Sequence, residues 1–276
     1  MVWITGASSG IGEGLAYHLA VLGAKLVLSG TNQRALNDVR NKCLSLGKTD
    51  SSSVITVPFD IKDVAQHEPC FANVLDHFGR IDILVNNAGR SQRAMFHETT
   101  LEVDQEMYLI NVLGAINLTR LTVNHWYKTK RPGHLVVTSS TLGKIGVMNG
   151  SSYAASKHAL HGYFESIRHE GYEKGIEVTM ICPGPTFSRA AERAFTSSLD
   201  QTFDASHSSD MKRMKTDRCA QLMTIAIANR LDEVWICMQP VLIMYYAFQY
   251  FPSFSRWLIP RVLTKETVTR IREGTK

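Results

Sequence analysis

The stretch Thr5-Gly6-Ala7-Ser8-Ser9-Gly10-Ile11-Gly12 follows a short apolar run, Val2-Trp3-Ile4, and opens an amphipathic stretch from Glu13 to Leu22. A strand, a glycine-rich turn and a helix in that order form the setting of a dinucleotide site. Gly6 permits the tight turn, Gly10 lets the backbone approach a pyrophosphate, and Gly12 lets helix and strand pack closely. The anion belongs at the helix N-terminus, where unpaired N–H groups and the helix dipole favour negative charge. The spacing is G-x-x-x-G-x-G, so the commoner G-x-G-x-x-G fingerprint is absent. Taken alone, the turn reads equally well as an ordinary tight loop.

A second pattern changes that balance. Tyr153-Ala-Ala-Ser-Lys157 carries a tyrosine with a lysine four residues on, 13 residues after Ser140. On a helix these two side chains share one face. A free phenol ionises near pH ~10, too high for a base at neutral pH. A lysine charge about 4 Å away, at an effective dielectric of ~20, favours the phenolate by roughly 4 kcal/mol. That brings the phenol near ~7, where general acid/base transfer is efficient. Tyr-x-x-x-Lys also arises by chance on solvated helices; the glycine turn is what gives it weight.

Length and composition bound the rest. With 276 residues, 44% hydrophobic and 20% charged, the chain has the profile of one large α/β domain, or at most two. The net charge of +5 is mild and lacks a basic run of the nucleic-acid kind; the cluster Arg270 to Lys276 reads as a solvated tail. Cys43, Cys70, Cys182, Cys219 and Cys237 are odd in number and contain no Cys-x-x-Cys, which argues against a disulfide framework and against zinc or another bound metal. The sequons at Asn117 and Asn149 fall in a helical pattern and beside the proposed site, and read as chance. The glycine turn begins at residue 5, so no signal peptide is visible; either a segment precedes this chain or the first strand is short and frayed.

Apolar runs alternate with helical periods. Strands are expected at Val2–Thr5, Lys25–Ser29, Ser53–Phe59, Ile81–Asn86, His134–Ser139, Glu177–Cys182 and Val234–Cys237, with helices at about 11–22, 31–46, 63–79, 100–128, 151–174 and 216–230. This pattern predicts an α/β doubly wound (Rossmann) domain with a seven-stranded parallel sheet, ligands lying at the strand C-terminal ends. Residues 1–238 would form that domain, and 239–276 a helical C-terminal extension. After Pro183-Gly184-Pro185, the polar stretch Thr186 to Lys215 is expected to be a flap over substrate.

Three further positions fit a cofactor groove. Asn86-Asn87-Ala88-Gly89 ends the fourth strand, where an amide and a glycine can line the groove, though it also makes a good turn. Asp60, at the end of the third, can accept from an adenine amino group. Asn111 is a poor helix former inside a helical segment. Its amide is expected to bond the helix backbone or hold a water behind Lys157.

Together these residues resemble the short-chain dehydrogenase/reductase family, from Val2 to about Cys237. Ser91-Gln-Arg93, Tyr153-Ala-Ala-Ser-Lys-His-Ala-Leu160, Cys182-Pro-Gly-Pro185 and Glu233-Val-Trp-Ile-Cys-Met-Gln-Pro240 are most similar to its member 7 group, neighbours of the type 1 11β-hydroxysteroid dehydrogenases. The resemblance implies an oxidoreductase of the endoplasmic reticulum membrane, working with NADP(H) on a retinoid, steroid or similar lipophilic carbonyl or alcohol. It implies Tyr153 as proton donor/acceptor, Lys157 lowering its pKa while binding the nicotinamide ribose, Ser140 holding the substrate oxygen, and Asn111 supporting the relay. Cofactor contacts implied are Gly6, Ser8, Ser9, Gly10, Ile11, Gly12, Asp60, Asn87, Ala88, Gly89, Pro183, Gly184 and Ser188, besides Tyr153 and Lys157. Two alternatives remain: a catalytically idle nucleotide-binding scaffold, and an NAD-dependent alcohol dehydrogenase.

One departure concerns the cofactor. The second strand ends Leu28-Ser29-Gly30-Thr31-Asn32, where the member 7 group has Ala-Arg-Arg. An acid here would bond the ribose of NAD, and an arginine the 2′-phosphate of NADP. With neither, NADP(H) is expected to be preferred modestly, Arg34 being the nearest cation, and NAD(H) is not excluded. Val234 to Ser255 holds 22 residues without a charge, long enough to span a membrane but interrupted by Gln239, Pro240, Gln249 and Pro252. It reads as an interfacial hairpin making peripheral membrane contact, or as a buried helix pair or homodimer interface. No arginine stands in an obvious position to clamp a phosphate or carboxylate, so a bulky lipophilic small molecule is expected as substrate.

Overall fold

In a computed structural model, the described residues are 1–47, 50–187, 193–203 and 213–262. The sheet strands are β1 (Val2–Thr5), β2 (Leu26–Ser29), β3 (Val54–Thr56), β4 (Ile83–Asn86), β5 (Gly133–Thr138) and β6 (Ile176–Pro183). A two-stranded hairpin, β7 (Ala194–Phe195) and β8 (Thr202–Phe203), follows, and β9 (Glu233–Ile236) completes the main sheet. The helices are α1 (Gly10–Val21), α2 (Gln33–Gly47), α3 (His67–Phe78), α4 (Leu101–Tyr108), α5 (Gly114–Thr129), α6 (Ser151–Gly171), α7 (Thr216–Ala228), α8 (Val241–Tyr250) and α9 (Pro252–Val262).

The seven strands are parallel and ordered β3-β2-β1-β4-β5-β6-β9. The order reverses between β1 and β4, and at such a switch point a crevice opens at the strand C-terminal ends. Helices cover both faces, so the central strands are buried at every residue and read as continuous apolar runs. Alternation still decides which side chain goes where. Val2, Ile4, Leu28 and Val136 pack with Leu15, Met223 and Ile227 on one face; Trp3, Val27, Leu135 and Val137 pack with Leu118 and Phe164 on the other. All four residues of β1 are buried, so it is short but not frayed.

Most element boundaries shift by a residue or two from the sequence reading, and three elements depart from it further. The third strand is shorter than Ser53–Phe59, since Pro58 offers no N–H; even so, Val57 and Phe59 still donate to the Leu28 and Gly30 carbonyls. The expected helix at 63–79 starts as a 3-10 turn, with Asp63 accepting from the Ala65 N–H. The expected helix over 100–128 is interrupted at Leu109–Leu113 by a π-helical turn between α4 and α5. The flap region contributes the β7–β8 hairpin, and the rest of it, with residues 263–276, lies partly or wholly outside the described residues.

Candidate active site

At the C-terminal ends of β1, β4, β5 and β6 a cavity of about 1070 Å³ opens. The glycine turn forms its floor: Gly6, Ser8, Ser9, Gly10 and Ile11 line it. Gly6 and Gly10 both take positive φ, +66° and +63°, which other residues adopt only under strain. A Cβ on Gly6 would meet the Ala88 Cα at 2.8 Å, and one on Gly12 the Gly6 carbonyl oxygen at 2.4 Å. Gly12 is thus a spacer beneath the turn, outside the lining itself. The turn is braced from β4: Asn87 Nδ2 donates to the Thr5 and Gly6 carbonyls at 3.0 and 3.3 Å, and Asn87 Oδ1 accepts from Thr138 Oγ1 at 3.2 Å. Asn87, Ala88 and Gly89 line the cavity, while Asn86 turns away and donates to Thr119.

Gly30, Thr31 and Asp60 bound the end away from α6. Here the side chain of Asp60 accepts from the Lys62 N–H at 3.1 Å, and Lys62 is tied to Glu106 at 2.6 Å. Arg34 is exposed and outside the lining; Lys62, which the sequence reading passed over, is within it. Bare glycines under a helix N-terminus, with an acid and small residues beyond them, fit the pyrophosphate and adenosine of a nicotinamide dinucleotide.

Tyr153 and Lys157 stand on one face of α6, with the Lys157 Nζ 5.8 Å from the centre of the Tyr153 ring. Lys157 is buried, and burial pushes its ammonium down to about 8. Its Nζ donates to the Thr138 carbonyl at 2.8 Å. Ser140, at the end of β5, accepts from the Leu142 N–H at 3.1 Å and donates to the Pro183 carbonyl at 3.4 Å. Thr141 donates to the same carbonyl at 3.4 Å, so the Ser140 hydroxyl can turn toward a ligand without abandoning it. Pro183 and Gly184 line the cavity beside Ser140; Ser188 lies outside the described residues.

Of the two roles expected for the Asn111 amide, bonding its own helix backbone is not the one found. Its Oδ1 accepts from the Arg90 N–H at 2.8 Å, and its Nδ2 donates to the Arg90 carbonyl at 3.0 Å and to Ser156 Oγ at 2.9 Å. Ser156 in turn donates to the Tyr153 carbonyl at 2.8 Å. The π turn presents Asn111 to the chain beyond Gly89. A Cβ on Gly89 would lie 3.2 Å from Asn111 Oδ1 and 3.4 Å from Lys157 Nζ, so these three positions crowd together.

A second polar group sits behind β5. Ser139 Oγ is 3.0 Å from His161 Nε2, and Glu233 lies 3.6 Å from His161 Nδ1 and 2.7 Å from Lys144. Burial, then the Lys144 charge, pushes His161 down to about 4, leaving it neutral at physiological pH. With Cys182 these side chains approach within 4.8 Å, but Lys144 already supplies the countercharge for Glu233.

The sequence reading missed one feature of direct chemical weight. Arg90, Arg93, Arg193 and Arg213 all line the cavity, where the sequence reading had seen no arginine in an obvious position. Arg93 and Arg213 are 120 residues apart and meet only because the chain returns over the cavity after β6.

The family model for short chain dehydrogenase matches residues 1–198. The chain belongs to the short-chain dehydrogenase/reductase family. Among its relatives is dehydrogenase/reductase SDR family member 7 of Homo sapiens, 41% identical over 99% of this chain and 80% of the human protein. Member 7B of Rattus norvegicus is 38% identical over 71% of this chain and 61% of its own length. A short-chain dehydrogenase from Streptomyces avermitilis shares the fold, with TM-score 0.76 and 22% identity over 96% of this chain and 98% of the other. So does an alcohol dehydrogenase from the archaeon Thermococcus sibiricus, solved with 5-hydroxy-NADP, with TM-score 0.73 and 22% identity over 85% and 94%. As a short-chain dehydrogenase/reductase, the protein is an oxidoreductase acting on CH–OH and C=O groups.

Proposed function

We propose that this dehydrogenase/reductase prefers NADP(H) and interconverts a lipophilic carbonyl and its alcohol at a membrane surface. The observation that carries the reading is the shared cavity, with Ser140, Tyr153 and Lys157 at one end beside an apolar wall of Val241, Met244, Tyr245 and Phe248. The glycine turn would hold the dinucleotide, which would supply or accept the hydride when bound. The protein's own residues do the rest. Ser140 donates a hydrogen bond to the substrate oxygen as negative charge develops. Tyr153 gives that oxygen its proton, and Lys157 favours the resulting phenolate while binding the ribose. Asn111 and Ser156 hold the backbone at Tyr153 and Arg90, which fixes where the phenol stands.

The membrane part of the reading rests on α8 and α9. Tyr246, Tyr250, Phe251, Phe254 and Trp257 are exposed, while other side chains of α8 line the cavity. Among the described residues no helix is long and apolar enough to cross a membrane. An aromatic surface of this kind suits one-leaflet, peripheral contact, and the endoplasmic reticulum is the membrane we propose.

The deciding experiment follows NADPH oxidation with hydrophobic aldehydes, ketones and diketones, beside NADH. Turnover with NADPH ahead of NADH is expected. Cofactor binding without turnover on any substrate would favour the idle scaffold, and a clear NADH preference the alcohol dehydrogenase. For the membrane, flotation with liposomes should retain the protein and lose a Phe251→Ser, Phe254→Ser, Trp257→Ser variant. Equal partition of both into the soluble fraction would overturn the docking role.

A further inference from the structure

We infer that His161 and Glu233 are positioning residues for Ser140: they clamp both ends of the turn that carries its hydroxyl, and so hold that hydroxyl at the substrate oxygen. The inference rests on the proposed reading of Ser140 as the donor to that oxygen.

Ser140 opens a 3-10 turn at Thr141–Gly143. Inside the turn, the Gly143 N–H donates to the Ser140 carbonyl at 2.8 Å and the Lys144 N–H to the Thr141 carbonyl at 3.1 Å. So short a turn has few bonds of its own, and the anchors at its ends decide where Ser140 stands. At the start, Ser139 Oγ is 3.0 Å from His161 Nε2. A Cβ on Gly143 would lie 2.5 Å from Ser139 Oγ and 2.9 Å from His161 Nε2, so the turn rests directly on that hydrogen bond. At the end, Lys144 pairs with Glu233 at 2.7 Å, and the same carboxylate oxygen faces His161 Nδ1 at 3.6 Å. The other oxygen of Glu233 accepts from the Trp235 indole N–H. Three elements thus converge on one turn: β5, which leads into it, α6 four residues beyond Lys157, and β9.

The protons have one consistent arrangement. A neutral imidazole offers one donor and one acceptor. The carboxylate beside Nδ1 favours the proton there, which leaves Nε2 to accept from Ser139 Oγ. Carboxylate, imidazole and hydroxyl then follow in the order of a hydrolytic triad. Here, though, the hydroxyl is covered: Ser139 is 2% exposed, and Gly143 packs on its Oγ. It meets no substrate, so the bond serves to orient. Without the imidazole, the hydroxyl turns to the Lys157 carbonyl, 3.3 Å away, and Gly143 loses its support. Ser140 is the next residue in the chain and shifts with them. A misplacement of about 1 Å in a catalytic group costs on the order of a hundredfold in rate.

The test uses the full chain with NADPH and benzil, a neutral diketone. His161→Leu should lower kcat by about ten- to a hundredfold, with KM and NADPH affinity little changed. His161→Gln, whose terminal amide reaches the place of Nε2, should restore most of the loss and guards against misfolding. Glu233→Gln keeps an acceptor for Trp235 but loses the charge facing Lys144 and His161, and should fall between. In a Ser140→Ala background, His161→Leu should cost little more, because it acts through the hydroxyl already removed. Costs that multiply in the double variant overturn the inference, as do an unchanged kcat in His161→Leu and a failure of His161→Gln to recover activity. A readout free of turnover is amide hydrogen exchange over residues 140–144 of the NADP⁺-loaded protein. Exchange should be faster in His161→Leu than in the parent and close to the parent in His161→Gln; equal exchange in all three overturns the clamp. Full activity in Ser140→Ala alone would instead sink the reading of Ser140. Faster exchange in His161→Leu, with no carbonyl turned over by the parent, would sustain the clamp and sink the proposed reaction.

Discussion

Lys157 spends one of its three donors on the Thr138 carbonyl, 2.8 Å away at the end of β5. Helix α6 is thereby locked to the central strand that also delivers Ser139 and Ser140. The remaining donors of the ammonium are available to the phenol and to a ribose.

From this geometry, Tyr153→Phe should lower kcat by about a thousandfold, the range of general acid catalysis, with NADPH affinity nearly unchanged. Lys157→Met should damage both kcat and cofactor affinity, since one side chain serves both. Steady-state kinetics with a fluorescence titration of NADPH separates the two. More than a few per cent of kcat remaining in Tyr153→Phe would mean that the proton comes from elsewhere.

The buried ammonium also predicts a pH dependence. Burial lowers Lys157 from 10.5 to about 8 in the free protein, and a bound dinucleotide favours the charged form. Proton uptake therefore accompanies cofactor binding above that pKa. The Kd for NADPH should stay level below about pH 8 and rise above it, by about tenfold per unit at most. In Lys157→Met the curve should be flat over the same window.

Cofactor choice turns on the end of β2. Ser8 Oγ lies 3.3 Å from where a Gly30 Cβ would stand, whereas Thr31 is exposed and lines the cavity. An arginine is sterically easier at 31 than at 30. Thr31→Arg should raise the NADPH to NADH ratio of kcat/KM by about tenfold through a charge-assisted contact with the 2′-phosphate. An unchanged ratio would place the ribose elsewhere.

Gly12→Ala tests the turn. Its methyl would press on the Gly6 carbonyl oxygen at 2.4 Å and on Asn87 Nδ2 at 2.5 Å. Urea denaturation should show a loss of about 1–3 kcal/mol, and NADPH binding should weaken with it because the loop must shift.

The sheet and the tyrosine–lysine pair were legible because their physics is local. Buried parallel strands write themselves as apolar runs, and a spacing of four residues on one helix places Tyr153 above Lys157. Asn111 was legible as an oddity, but its bonds to Arg90 were not, since Leu109-Ile-Asn-Val-Leu113 has nothing to distinguish a π turn from an α one. Arg93 and Arg213 left no local trace. Their meeting depends on Phe195 bonding the strand-like stretch at 91–93 and on Met214 bonding Pro185, contacts that only the folded chain creates. Likewise, the Ser139, His161 and Glu233 group draws on three separate elements.

The π turn at Leu109–Leu113 carries a consequence for how this site tolerates length change. A π turn holds one residue more than the α-helix around it, and each residue advances an α-helix by about 100°. Deleting one residue between 109 and 113 would let α4 and α5 join as a regular helix with ordinary i to i−4 pairing. That local gain would swing the amide at 111 about a quarter-turn away from Arg90 and Ser156, leaving the loop beside Lys157 without its brace. The helix is imperfect by one residue, and the register of the catalytic end depends on that surplus.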